Sequence, residues 1–227
     1  EENEVDATNI KQFMMQVFAE GAIEIKSIEL VPFVKKAKSR TTAFQNQITV
    51  DGDLSDWKTE GFTPMDGGNA FQMSYSETHL NFAVKVVDNS PRKNIQSKGD
   101  LWNGDAIEIA FSTNPKADPK RKYLMLSDQH IGINCGSTPY VWSWKMDAKI
   151  ADAELKITNT EDGYIVEGRV PLSAFRNFKP EEGSTLNLEV AIDQGSGDAR
   201  ERQIRWNSPS KEGFHLSPGL WGEMVLE

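Results

Sequence analysis

The sequence predicts an all-β protein built as a β-sandwich. Apolar and polar residues alternate over many short segments, turn signals separate these segments at regular intervals, and no long segment has convincing helical periodicity. The pattern gives roughly nine to eleven strands, a number typical of a sandwich of antiparallel hairpins.

The predicted strands follow one another from residue 48 to the end of the chain. They lie in ITVDGDLSDW (48–57), AFQMSYSETHLNFAVKVVD (70–88), DAIEIAFST (105–113), KYLMLSDQHIGIN (122–134), AELKITNTEDGYIVEGRVPLSAF (153–175), TLNLEVAIDQ (185–194), RQIRW (202–206) and GEMVLE (222–227). Asp162-Gly163 is a strong hairpin signal. Before residue 48, AIEIKSIELV (22–31) predicts one more strand, and the basic segment 34–47 predicts a linker.

Composition and charge exclude several classes of function. The net charge of −9 argues against nucleic acid or an anionic membrane as a partner, because both need a basic surface. Apolar runs are too short to span a bilayer. Cys135 is the single cysteine, so an internal disulfide and a cysteine-rich metal site are excluded.

Five motifs, in the order expected, resemble family 9 carbohydrate-binding modules, which belong to the DOMON-like sandwiches. They are ITVDGDLSDW, THLNFAVKVVD, LWNGDAIEIAF, DGYIVEGRVPLSAF and RWNSPSKEGFHLSPGLWGEMVLE. The resemblance covers residues 44–227 and implies an antiparallel, jelly-roll-like β-sandwich. Residues 1–43 fall outside it and are interpreted as a tail, a strand and a linker, or as the end of a preceding domain.

The resemblance also implies a function. Members of this family are non-catalytic modules of polysaccharide-active enzymes that stack a sugar between aromatic rings, and some carry structural calcium. We therefore expect a secreted or cell-surface bacterial module that binds a polysaccharide or oligosaccharide. Its expected role is to direct a glycoside hydrolase to its polysaccharide substrate. Further domains of the same polypeptide are the other partners that remain open at this point.

Trp102 and Glu108 are the main candidates for sugar binding. Trp102 stands ahead of the D-x-x-E-I strand as in the family, and a flat indole can cover the C–H face of a pyranose. Glu108 lies on the strand face opposite Ile107 and Ile109, where a carboxylate accepts hydroxyl donors well. The alternatives are a core role for Trp102 and a solvated one for Glu108.

Phe214 is expected to supply the opposing ring. The family has a tryptophan there, eight residues beyond the position of Trp206, and a phenyl ring offers less stacking area. An anchor beneath the loop is the alternative. Further polar candidates for sugar binding are Asn103, Asp105, Lys122, Arg205 and Asn207.

Other tryptophans are assigned mainly to the core. Trp142 and Trp144 share one strand face with Tyr140, which fits either a glycan platform or packing across the sandwich, and packing is preferred. Trp57 and Trp221 are interpreted as core residues.

Metal, haem and catalytic sites are the alternatives. Asp51, Asp53 and Asp56 are closely spaced enough for calcium, but they also fit an Asp-Gly turn with capping aspartates. Met73 and His130 are the candidate haem ligands of a DOMON-like domain. A catalytic role within a glycoside hydrolase would need two carboxylates, yet Asp105 and Glu108 would point to opposite strand faces.

Overall fold

A computed structural model of the chain describes residues 38–176, 178–195, 199–209 and 213–227. The chain divides into two units, Glu1–Ala37 and Lys38–Glu227, and the described residues all belong to the second. The strand predicted for 22–31 lies outside them. None of the helices described is long and apolar enough to cross a membrane.

The prediction of an all-β chain is confirmed, because strands dominate the described residues and the helices are short 3₁₀ segments of three to six residues. The strands are β1 Arg40–Gln45, β2 Thr63–Pro64, β3 Ala70–Tyr75, β4 His79–Val87, β5 Ala106–Ser112, β6 Asp128–Asn134, β7 Tyr140–Ser143, β8 Ala148–Lys149, β9 Glu154–Asn159, β10 Gly163–Pro171, β11 Thr185–Gln194, β12 Arg202–Arg205 and β13 Gly222–Leu226. The 3₁₀ turns are Leu54–Asp56, Thr59–Gly61, Asp66–Gly68, Lys98–Asn103, Leu172–Ala174, Phe214–Leu216 and Pro218–Leu220.

The strands form one mixed sheet in the order β8-β7-β6-β5-β11-β13-β1-β3-β4-β10-β9, with β12 beside β11 and β2 beside β3. Strand β1 is the exception to antiparallel pairing, since it runs parallel to both β13 and β3. The expectation of a purely antiparallel sheet is therefore wrong, and the sheet is mixed. Strand β1 joins the β5–β11–β13 half to the β3–β4–β10 half at its centre.

The two halves bury their apolar residues in one common core. Phe82 and Val84 of β4, Ile107 and Ile109 of β5 and Val190 of β11 belong to the same buried cluster. Their alternation along each strand explains why these segments are strands, since every second side chain enters the core. Trp57 and Trp221 are buried, as predicted.

Three sequence predictions about the strands need correction. Strand β1 lies in the segment predicted as a linker, and the residues from Ile48 to Val50 predicted as a strand are irregular. The sequence predicts a pair of short strands around a polar turn in residues 122–134, but these residues hold one strand, β6, because residues 122–127 are irregular and end in a turn. The Asp162-Gly163 hairpin is confirmed by the antiparallel pairing of β9 with β10.

Candidate functional site

A cavity of about 790 Å³ opens over one face of the sheet, outside the apolar core. The strand residues that line it belong to β12, β5 and β6; β11 lies between β12 and β5 in the sheet, and β6 pairs with β5. The side chains that line it are Trp102, Glu108, Leu124, Met125, Leu126, Asp128, Gln129, His130, Trp144, Lys145, Arg200, Gln203, Arg205, Phe214, His215 and Leu216, together with Gly213. Its size is typical of a small-molecule site.

Small residues on this sheet face leave room for the large side chains above them. Glu108 pairs across the sheet with Ala191 on one side and Gly132 on the other. A Cβ added to Gly132 would lie 2.4 Å from the Trp144 ring, so only glycine lets that ring pack against β6. The sequence therefore builds the cavity by alternating small and large residues across neighbouring strands.

Glu108 is the carboxylate at the centre of this sheet face. Its Oε2 lies 2.8 Å from His130 Nε2, and its Oε1 accepts a hydrogen bond of 2.8 Å from Gln203 Nε2. The residue is only 5% exposed although it lines the cavity. Both oxygens are thus oriented by neighbours, and the remaining lone pairs can accept from a ligand hydroxyl.

Burial sets the charges of the groups around Glu108. Burial raises the pKa of Glu108. It also raises the pKa of Asp193 well above its usual range, and the nearby charge of Glu108 raises the pKa of Asp193 further. Arg200 Nη1 donates to Asp193 Oδ1 at 2.9 Å, which opposes these shifts. Burial lowers the pKa of His130 to about 3, so its ring is neutral near pH 7.

The depressed pKa of His130 predicts a pH-dependent contribution to stability. The unfolded chain takes up a proton on this ring near pH 6.5, whereas the folded one does so only near pH 3. Stability due to this residue is therefore present above about pH 6.5 and falls, by up to about 1.4 kcal/mol per pH unit, as the pH drops towards 3. In urea unfolding from pH 7 to 4, we expect the free energy of unfolding of wild type to fall relative to that of His130→Gln, because glutamine does not titrate. A difference that stays constant with pH would contradict it.

Trp102 stands at the rim of the cavity and is 39% exposed, so the alternative of a sealed core tryptophan is excluded by the structure. It lies in the 3₁₀ turn Lys98–Asn103, just before β5. The Arg200 guanidinium carbon lies 4.9 Å from its ring centroid and packs on the ring as a cation–π partner. Asn103 Oδ1 accepts from the Arg200 backbone N–H at 3.1 Å and so holds that partner in place.

Phe214 occupies the predicted region but not the predicted role. Its side chain lines the cavity, yet it is 1% exposed and belongs to a small buried cluster with Trp221. The Arg205 guanidinium carbon lies 4.9 Å from its ring centroid, and the edge of His130 packs against it. A ring this covered offers no free face, so the expectation that Phe214 supplies an opposing stacking face is corrected to an anchor beneath the loop.

The other predicted polar residues have mixed positions. Arg205 lines the cavity, and its Nε donates to Gln203 Oε1 at 2.6 Å. Asp105 does not line it: the carboxyl is buried and accepts from the backbone N–H groups of Lys93 and Gly195. Burial raises the pKa of Asp105, and these two hydrogen bonds oppose the shift.

Asn207 and Lys122 also lie outside the cavity lining. Asn207 accepts from the Ser39 backbone N–H at 2.7 Å and donates to the Leu220 carbonyl at 2.6 Å. Lys122 is exposed on the turn before β6. The structure therefore gives Asn207 a role in joining chain segments and does not bring Lys122 to the site.

The aspartates predicted for calcium accept hydrogen bonds within a turn. Asp51, Asp53 and Asp56 each accept hydrogen bonds from nearby backbone N–H groups, those of Asp53, Ser55 and Thr49 respectively. Within the described residues, no group of three or more His, Cys, Asp or Glu side chains is placed to hold a metal ion. These aspartates therefore cap a turn.

The haem and catalytic arrangements are not favoured by the positions of their residues. Met73 is buried in the main core cluster, whereas His130 lies at the cavity and bonds Glu108. Asp105 is held by backbone donors away from the cavity, so it does not form a pair of reacting carboxylates with Glu108.

Several lining residues were not selected from the sequence. Arg200 lies between β11 and β12, Gln203 lies in β12, and Trp144 lies just past β7. The sequence indicates His130 only as a candidate haem ligand. Trp142 is buried beside Leu101, in agreement with the preferred core interpretation, but Trp144 lines the cavity. Alternation along the strands is the signal in the sequence that could have found them. It puts residues 106, 108 and 110 on one face of β5 and residues 130, 132 and 134 on one face of β6, and the pairing register joins these two faces.

Two solved structures of similar fold are named as carbohydrate-binding modules in complex with a sugar. A carbohydrate-binding module of family 9 from Caldicellulosiruptor kristjanssonii in complex with glucose is 18% identical, with a TM-score of 0.64. The match covers 83% of this chain and 96% of that one. The same module in complex with cellotriose gives the same identity and TM-score, with 83% and 94% covered. At this identity the likeness shows the fold.

Sequence comparison gives the family directly. No curated protein matches the chain. The sequence profile described as "Carbohydrate family 9 binding domain-like" matches residues 42–227, which is most of the chain and includes all the cavity-lining residues. The chain therefore belongs to the carbohydrate family 9 binding domain-like family.

Proposed function

We propose that this chain binds carbohydrate in the cavity above β5 without altering it. The observation that carries the proposal is an exposed indole, Trp102, at the rim of the cavity that contains the oriented carboxylate of Glu108. Stacking covers the C–H face of a pyranose, and the carboxylate accepts from its hydroxyls. The related module from Caldicellulosiruptor kristjanssonii binds glucose and cellotriose, which supports β-glucans as the first ligands to test.

The wider setting is part of the same proposal. A module that holds a polysaccharide would concentrate an attached glycoside hydrolase on its substrate. The location proposed with this role is outside the bacterial cell or on its surface. The curled sheet, with one core shared by its two halves, supports the DOMON-like sandwich for its architecture. We do not include calcium at Asp51, Asp53 and Asp56, because their carboxylates are engaged as turn caps.

A glycan-binding screen with wild type and Trp102→Ala tests this function. We expect wild type to bind at least one neutral glycan and Trp102→Ala to bind it about tenfold more weakly, equivalent to about 1.4 kcal/mol of lost stacking. Tyr123→Ala is the matched control, because Tyr123 is exposed but does not line the cavity. Equal binding by wild type and Trp102→Ala would refute the site.

Three further readouts in the same screen separate the alternatives. Release of reducing sugar by the wild-type protein would favour a catalytic role, and a Soret absorption band would favour haem. Binding that disappears with a chelator would reveal a metal requirement that the described residues do not suggest. We expect none of these signals to accompany binding.

A further inference from the structure

Exposed apolar side chains are concentrated around the proposed sugar site. Among the described residues, eight large apolar side chains are exposed, and five of these line the cavity. One is Trp102. The other four are Leu124, Met125, Leu126 and Leu216, which we call the apolar ledge.

The apolar ledge differs chemically from the rest of the cavity. Its side chains are aliphatic and carry no hydroxyl, amide or charge, so they offer no directional partner to a sugar hydroxyl. The polar groups of the site, among them Glu108, Gln203 and Arg205, come instead from the strands beneath. One cavity therefore combines a polar floor suited to a sugar with a wall suited to an apolar group.

A buried ion pair and several hydrogen bonds hold the turn that carries Met125 and Leu126 in place. Arg121 and Asp128 form an ion pair whose side chains are nearly inaccessible, and Asp128 Oδ2 accepts from the Met125 backbone N–H at 2.7 Å. Lys145 Nζ donates to the carbonyls of Leu126 and Asp128. The exposure of Leu126, at 71%, thus belongs to an anchored turn rather than to a frayed one.

We propose, as an extension of the proposed function, that the apolar ledge is a subsite for an aryl or alkyl substituent linked to the bound sugar. The cavity volume of about 790 Å³ lies in the upper part of the range for drug-sized ligands and exceeds what a single hexose needs. Flexible leucine and methionine side chains adapt to apolar shapes that a rigid indole does not fit. The preferred ligand class is a glycoside or sugar ester with an apolar group next to the bound ring.

Calorimetric titration with methyl and phenyl β-glucopyranoside, and with the matching xylosides, tests this inference. For wild type we expect the phenyl glycoside to bind about tenfold more tightly than the methyl glycoside of the same sugar. In Leu124→Ser/Leu126→Ser the preference should fall to about twofold, while the methyl glycoside keeps its affinity. Met146→Ser is the control, because Met146 is exposed and apolar but does not line the cavity.

Each other outcome overturns the subsite. Equal affinities in wild type, or an equal loss for both glycosides in the double variant, would show that the ledge does not recognise the substituent. Equal affinities together with a concentration-dependent mass would assign the ledge to contact with a second copy. If neither pair of glycosides binds, the subsite fails, whereas the proposed carbohydrate binding fails only if the full glycan screen is also negative.

Discussion

Replacing Arg121 with leucine is expected to lower the free energy of unfolding by about 3–5 kcal/mol. The reason is that Asp128 would lose its paired guanidinium in a place where its side chain is only 1% exposed. Breaking one side of a buried ion pair leaves the other desolvated, which is far more costly than losing an exposed pair. Urea unfolding followed by tryptophan fluorescence measures the difference.

Two control variants separate the charge from the packing. Arg121→Leu/Asp128→Asn removes the unpaired charge but keeps an amide oxygen that can accept from the Met125 N–H, so it should recover part of the loss. Glu154→Gln breaks the exposed Arg169–Glu154 pair and should cost about 0–1 kcal/mol. If Arg121→Leu costs no more than Glu154→Gln, the buried pair does not stabilise the turn beneath the apolar ledge.

Phe214→Ala is expected to destabilise the protein by a similar amount, about 3–5 kcal/mol, because it empties a buried ring site. The cavity left behind would lie beside Trp221, whose Nε1 donates to the Phe214 carbonyl at 2.8 Å. Phe214→Leu keeps most of the volume and should cost less than about 1.5 kcal/mol. Thermal or urea unfolding of both variants checks the difference.

Sugar binding by Phe214→Leu decides between an anchor and a stacking ring. An anchor requires only apolar volume, so this variant should bind a glycan within about twofold of wild type. A stacking surface requires the flat ring, so its loss would resemble that of Trp102→Ala. A well-folded Phe214→Leu protein with tenfold weaker binding would restore the stacking role to Phe214.

The sequence predicted those parts of the fold that follow from local alternation. Ile107, Ile109 and Phe111 entering the core, and Glu108 facing the other way, follow from the period of two along a strand. The Asp162-Gly163 hairpin follows from turn chemistry. Strand β1 was not predicted because Arg40–Gln45 contains mostly polar residues and one large apolar side chain, Phe44, so its sequence shows no apolar alternation.

The candidate site was predictable only in part, because its composition depends on strand register and on loops. Trp102 and Glu108 lie close in sequence, so one motif reveals both. His130, Arg200 and Gln203 reach Glu108 from other segments, and no local pattern marks that meeting. Phe214 was placed in the right loop, but its burial depends on what covers it, namely Arg205 and His130.

The parallel position of β1 affects where this protein can be divided. A fragment that starts after Gln45 would lack β1, the strand between β13 and β3. Both of these strands would then become edge strands with unpaired backbone groups. Such borders recruit strands from other molecules and promote precipitation. Recombinant forms of the binding module therefore need to begin ahead of Arg40, although the recognisable alternation starts later.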